Sequence, residues 1–357
     1  MTTGPHDTYA EVAARRGIDL DAIRAPLAAA LATHLGARDL AVHDLRTPAK
    51  AGTSSGTILF TAAWSDDGTT RTRDLVVRTE PDKVQMYRDA DFRRQYTVIE
   101  TLYGSGLVRV PEPYFFEADR AVLGVPFFVM EQLHGNVPVT MPGYNVSGWL
   151  FDATPAQRRV TWETAMEELC RIARVPVADV PFLDDPHLGG SGVEQQLEYW
   201  RASVDWATGD RTPDKVWDIH AWLAANLPVD RTNGFAWGDA RIGNMMFGAD
   251  FRLAGVMDWE AANLSGPRQD LAWWVLFDEF NAEARGVPRL AGLGSREETI
   301  AFWEDRVGET AGDLHWYEVF TAFQLCLFMY RSALMLGGDM VLEANQGYRM
   351  ACERLGW

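Results

Sequence analysis

The chain is expected to be an α+β, bilobal protein, with a small antiparallel-sheet lobe followed by a larger helical lobe. Three observations lead there. Strand-like segments dominate up to about residue 133 and helical periodicity dominates after it. The length of 357 residues exceeds one ordinary domain. A single β-like island, residues 245–258, interrupts the helical part.

The elements can be taken in order. Residues 19–35 (DLDAIRAPLAAALATHL) predict a helix with Asp19 or Asp21 at its start and Pro26 as a flaw. Residues 57–64 and 73–79 predict strands joined by a turn at Asp66-Asp67-Gly68. A helix is expected over 83–103 and two more strands near 113–118 and 125–131. After His134-Gly135, helices are expected at 155–174, 192–207, 213–227, 268–281, 295–308 and 313–336. The expected division is 1–133 for the first lobe, with residues 1–36 as a helical extension, and 134–357 for the second.

Composition narrows the function. Hydrophobic residues make up 47% and charged residues 23%, ordinary globular usage that excludes general disorder. The formal charge of −17 argues against nucleic-acid partners, which demand a basic face, and against a polybasic membrane contact. Three cysteines without metal-ligand spacing suggest a reducing compartment. With no apolar run of about 20 residues and no signal-like start, the expected location is the cytoplasm.

The informative segment is Gly238-Asp239-Ala240-Arg241-Ile242-Gly243-Asn244, followed by Val256-Met257-Asp258-Trp259-Glu260. Asn244 opens a short hairpin and Asp258 closes it, so an amide and a carboxylate meet at one end. Such hard oxygen donors suit Mg²⁺. Asp239, offset from the pair, can take a proton from a hydroxyl. A base, a metal-binding Asn and a metal-binding Asp are the division of roles used in phosphoryl transfer.

With those residues in place, the chain resembles the aminoglycoside phosphotransferase family, which shares the protein-kinase-like fold. Trp237-Gly238-Asp239 with Asn244 matches its catalytic loop, although Trp237 stands where the family has His. Met257-Asp258-Trp259-Glu260 matches its metal motif. Gly266-Pro267 with Asp270-Leu271-Ala272 matches the segment that follows, with Ser265 leading. The phrases GDARIGN and VMDWE most resemble the kinase-like domains of acyl-CoA dehydrogenase fusions. The resemblance covers about residues 40 to 280.

The resemblance implies an ATP- or GTP-dependent, Mg²⁺-dependent transfer of the γ-phosphate to a hydroxyl of a small molecule. Asp239 would be the catalytic residue, and Asn244 and Asp258 the metal ligands. The nucleotide would lie under the loop Gly52-Thr53-Ser54-Ser55, with its phosphates on Arg78, where the fold usually has Lys. Its base would meet Met130, the Glu131 carbonyl and the Leu133 N–H. Gln95 replaces the Glu that pairs with that Lys, and Glu100 is one turn further on. Asp270 is expected to cap its helix or brace the loop, and Trp237 to pack. Two other readings stay open: a non-catalytic nucleotide-binding module, motivated by Arg78 and Gln95, and a metal-dependent hydrolase. The tryptophan-rich helices read mainly as core.

Overall fold

The computed structural model describes residues 19–48, 56–66, 68–80, 86–88, 91–140, 143–209, 212–231, 233–282, 285–335, 338 and 340–357. The expected phosphate loop, Gly52 to Ser55, lies outside them. The chain divides into two compact units: Met1–Met86 with Pro111–Gln132, and Tyr87–Val110 with Leu133–Trp357. Residues 87–110, expected with the sheet, therefore go with the helical unit.

The first unit is a five-stranded antiparallel sheet of β1 (Arg38–Arg46), β2 (Gly56–Asp66), β3 (Thr69–Thr79), β4 (Pro113–Glu117) and β5 (Phe127–Glu131), in the order β1-β2-β3-β5-β4. The β2–β3 hairpin keeps an unbroken register from Gly56↔Thr79 to Asp66↔Thr69. Alternation along β2 sends Ile58, Phe60 and Ala62 inward. Against them packs α1 (Leu20–Leu35), which buries Leu27, Ala30 and Leu31. The expected helical extension is thus part of the sheet's core. Asp19 caps α1 by accepting the N–H groups of Asp21 and Ala22.

β1 was not expected from sequence. It is an edge strand with only Val42 buried, and Asp39 and Asp44 sit at positive φ where its register breaks. Period-2 apolar alternation is therefore almost absent.

The second unit begins its regular structure with α2 (Phe92–Ser105), nine residues later than expected. Its start is set by Asp91, whose carboxylate accepts the Arg94 N–H at 2.9 Å. The large helices follow: α3 (Pro155–Ile172), α4 (Gly192–Thr208), α5 (Asp214–Ala225), α6 (Pro267–Ala282), α7 (Arg296–Val307), α8 (His315–Met335) and α9 (Gln346–Leu355). The hairpin of β6 (Met245–Phe247) and β7 (Leu253–Val256) lies between α5 and α6. α9 was not expected. Its Gly347 lies so close to α8 that a Cβ would stand 2.3 Å from the Cys326 nitrogen, so a glycine is what lets the two helices touch. Among the described residues, no helix is long and apolar enough to cross a membrane.

Candidate active site

The site is built on the loop before β6 and the turn after β7, both in the helical unit. Gly238 takes φ +88, and a Cβ there would stand 2.1 Å from the Ala261 carbonyl oxygen, so only glycine lets the two turns close on each other. Trp237 is fully buried, and its indole N–H reaches the carbonyl oxygens of Met257 and Asp258, each at 3.0 Å. It ties the two turns together, which goes beyond the packing expected of it.

Asp270, on the first turn of α6, is 2% exposed and caps nothing on its own helix. Its two oxygens accept the N–H groups of Trp237 (2.7 Å) and Gly238 (2.9 Å). Of the two roles the sequence left open, bracing the loop is the one observed. Burial pushes its carboxyl up to about 7, against the pull of those two N–H donors.

Asp239 is also buried, at 5% exposure. Its Oδ2 accepts from Asn244 Nδ2 at 2.7 Å, and its Oδ1 from Trp273 Nε1 at 3.0 Å. Arg241 Nε lies 2.9 Å from Oδ1 and 3.1 Å from Oδ2. The guanidinium also bonds Thr140 and lies over the Phe277 ring, 5.2 Å from its centre. Burial pulls the Arg241 guanidinium down, but Asp239 and then Asp258 outweigh it and leave it raised.

Met257, the neighbour of Asp258, donates its N–H to the Asn244 carbonyl at 2.9 Å, which sets the two turns side by side. Asp258 sits at φ +60, a left-handed conformation that Asp tolerates better than most residues. The expected trio of 239, 244 and 258 is therefore gathered at one end of the β6–β7 hairpin. With Asn244 Nδ2 held by Asp239, its Oδ1 remains the acceptor of that amide. One amide oxygen and one carboxylate are a donor set that fits Mg²⁺, which takes few protein oxygens and completes its shell from phosphate and water. Among the described residues no cluster of three His, Cys, Asp or Glu could hold a metal.

Beside the loop lies a cavity of about 180 Å³, lined by Tyr87, Arg94, Tyr199, Trp200, Gly238 and Glu260, among others. Tyr87 and Trp200 meet edge to face at 6.2 Å. Burial raises the Tyr87 hydroxyl well above its usual range, and the charges of Asp239, Glu260 and Asp258 push it the same way. Those three carboxylates therefore share one neighbourhood with the cavity wall. Trp200, read from sequence as core, faces this cavity, while Trp162, Trp237, Trp259 and Trp303 are fully buried.

In the sheet unit, Arg78 on β3 bonds the Thr57 hydroxyl at 3.4 Å and pairs across the sheet with Phe128. Met130 and Glu131 end β5, opposite Val76 and Leu75. The Glu131 N–H donates to the Glu112 carbonyl, and its carboxylate accepts the Glu112 N–H. In the helical unit, Leu133 packs where a Cβ on Gly255 would stand 2.6 Å from it. Gln95 is buried on α2, and Glu100 hydrogen-bonds Tyr96 on the same helix. The sequence reading missed Trp273 as a partner of Asp239. Its spacing of three from Asp270, one helical turn, was the signal available.

The model of the phosphotransferase enzyme family (APH) matches residues 47–303. The chain belongs to that family. It is similar to human acyl-CoA dehydrogenase family member 11, with 26% identity over 240 residues, 64% of this chain and 29% of the relative. The chicken protein of that name is 27% identical over 206 residues, 57% of this chain and 25% of the relative. The chain thus spans less than a third of the length of these curated relatives. Among solved structures it is similar to a putative aminoglycoside phosphotransferase from Ralstonia eutropha (TM-score 0.63, 20% identity, 92% of this chain and 94% of that one). It is also similar to macrolide 2'-phosphotransferase type I (TM-score 0.55, 18% identity, 91% and 93%) and to a choline kinase from Streptococcus pneumoniae (TM-score 0.52, 14%, 88% and 94%). These likenesses establish the α+β kinase-like fold.

Proposed function

We propose that the protein is a small-molecule kinase that transfers the γ-phosphate of ATP, or of GTP, to a hydroxyl with the help of Mg²⁺. The observation that carries this reading is the 2.7 Å contact of Asn244 with Asp239, at the open end of a hairpin whose second strand runs back to Asp258 at that same end. Family membership and the kinase-like neighbours support it.

In this reading Asp239 orients the acceptor hydroxyl and takes its proton. Asn244 and Asp258 would hold Mg²⁺, which when bound neutralises charge on the phosphoryl group. Asp270 and Trp237 keep the loop rigid, so that Asp239 does not have to be ordered at the moment of reaction. The acceptor would enter the cavity of Tyr87, Tyr199 and Trp200. On the sheet unit, Arg78 would take the α/β-phosphates, since a guanidinium can fork onto phosphate, and the ends of Met130 and Glu131 would meet the base. Leu133 would add its N–H. Gly52, Thr53, Ser54 and Ser55, which lie outside the described residues, would cover the phosphates.

Asp239→Asn tests the reading. We expect a fall in MgATP turnover of roughly 10²-fold or more, with nucleotide binding retained. Unchanged turnover would remove Asp239 from the mechanism. The buried Gln95, which cannot form an ion pair, favours the second reading of a non-catalytic nucleotide binder. That reading expects a thermal shift with MgATP and no phosphoryl transfer to any alcohol.

A further inference from the structure

We infer that Trp273 is a positioning residue for Asp239: its buried indole N–H, with the Arg241 guanidinium, fixes the plane of the carboxylate that receives the acceptor proton. The inference rests on the phosphotransferase reading and adds to it a component that lies outside the Asp-Asn-Asp trio.

The terminal torsion of an Asp side chain is broad and roughly two-fold, so a single donor does not define its plane. Asn244 holds Oδ2 from within the loop. Trp273 holds Oδ1 from α6, at 3.0 Å. Arg241 Nε spans both oxygens. Donors on both oxygens, coming from separate elements, leave the carboxylate one orientation.

Trp273 is itself held. It is 3% exposed, and its ring stacks on Phe277 at 6.3 Å with 17° between the planes. One turn earlier on the same helix, Asp270 takes the N–H groups of Trp237 and Gly238. A single face of α6 thus grips the catalytic loop twice, by its backbone through Asp270 and by its working side chain through Trp273. An indole has a donor and no acceptor. It can orient a carboxylate without competing for the proton that carboxylate receives. A buried indole N–H without an acceptor is costly, so Phe would suffice here if packing were the only requirement.

The test compares wild type, W273F, R241K and D239N. Turnover is measured as ADP formed from MgATP, with water or an added panel of alcohols as acceptor. The KM for MgATP and the melting temperature are measured alongside. W273F keeps an aromatic ring on Phe277 and deletes only the N–H. The expected result is a kcat lower by about 10- to 100-fold, the scale of a misplaced reacting group, with KM and melting temperature close to wild type. R241K, which keeps the charge beside Asp239 but loses the planar Nε that spans both oxygens, should show the same split, and it carries the test if W273F does not fold. Wild-type kcat in both variants, or a kcat that falls only in step with the melting temperature, overturns the inference. A D239N variant as active as wild type, or a wild type inactive with every acceptor, instead overturns the reading beneath it.

Discussion

The carboxylate of Asp270 accepts the N–H of Gly238 at 2.9 Å, joining the first turn of α6 to the glycine that precedes Asp239. Its second oxygen takes the Trp237 N–H. This pair of bonds makes the loop's geometry depend on a residue more than thirty positions away in sequence.

Asp270→Asn should therefore destabilise the fold, because an amide can accept only one of the two buried N–H groups. A loss of about 1–3 kcal/mol is expected from denaturant midpoints at neutral pH. The same variant has a pH signature. In the folded chain the carboxyl lies at about 7, above its ordinary 3.8, so the folded state holds this proton more tightly than the unfolded one. The stabilising contribution of the protonated form is complete below about pH 4 and is lost as pH rises toward 7. Wild type should lose stability relative to Asp270→Asn across that window and run parallel to it above. Parallel curves from pH 4 to 8 would count against the raised value.

Gly238→Ala should do more damage than its size suggests. The added methyl would stand 2.1 Å from a backbone oxygen at a φ of +88, so the loop must move. Activity should fall at least as far as in Asp239→Asn, and the melting temperature should drop as well. Retained activity would show that the two turns need not touch.

Asp258→Asn isolates charge from shape. The residue sits at φ +60, which Asn accepts as well as Asp does. The variant should keep its fold while the extra stabilisation given by Mg²⁺ with ATP shrinks to that of ATP alone. A ligand at 100 times its Kd adds about 2.7 kcal/mol, so the difference is readable in a thermal shift. An undiminished Mg²⁺ effect would place the ion elsewhere.

Trp237→Phe leaves two half-buried carbonyl oxygens, those of Met257 and Asp258, without their shared donor. A cost of about 1–3 kcal/mol is expected. A variant as stable as wild type would mean that packing alone is the role of this ring.

The trio of Asp239, Asn244 and Asp258 was legible because the β6–β7 hairpin is short and its apolar strands are continuous, which fixes how its ends meet. Strands with buried alternation, such as β2, were legible for the same kind of reason. β1 was not, since an edge strand with one buried residue carries almost no period-2 signal. The start of α2 was misplaced because the apolar pattern runs on upstream while the true boundary is a local hydrogen bond from the Arg94 N–H to Asp91. The hold of Trp273 on Asp239 was hidden by composition. Among so many tryptophans, one that donates into a site looks the same in sequence as one that fills a core.

The packing of α1 beneath β2 and β3 has a practical consequence. Cutting the gene back to the matched stretch, residues 47–303, would strip that helix from Ile58 and Phe60 and remove β1 as well. It would also delete α8, whose Thr321 and Gln324 clasp Gln269 one residue before Asp270. Such a fragment would retain every residue of the trio and should come out of cells as aggregate.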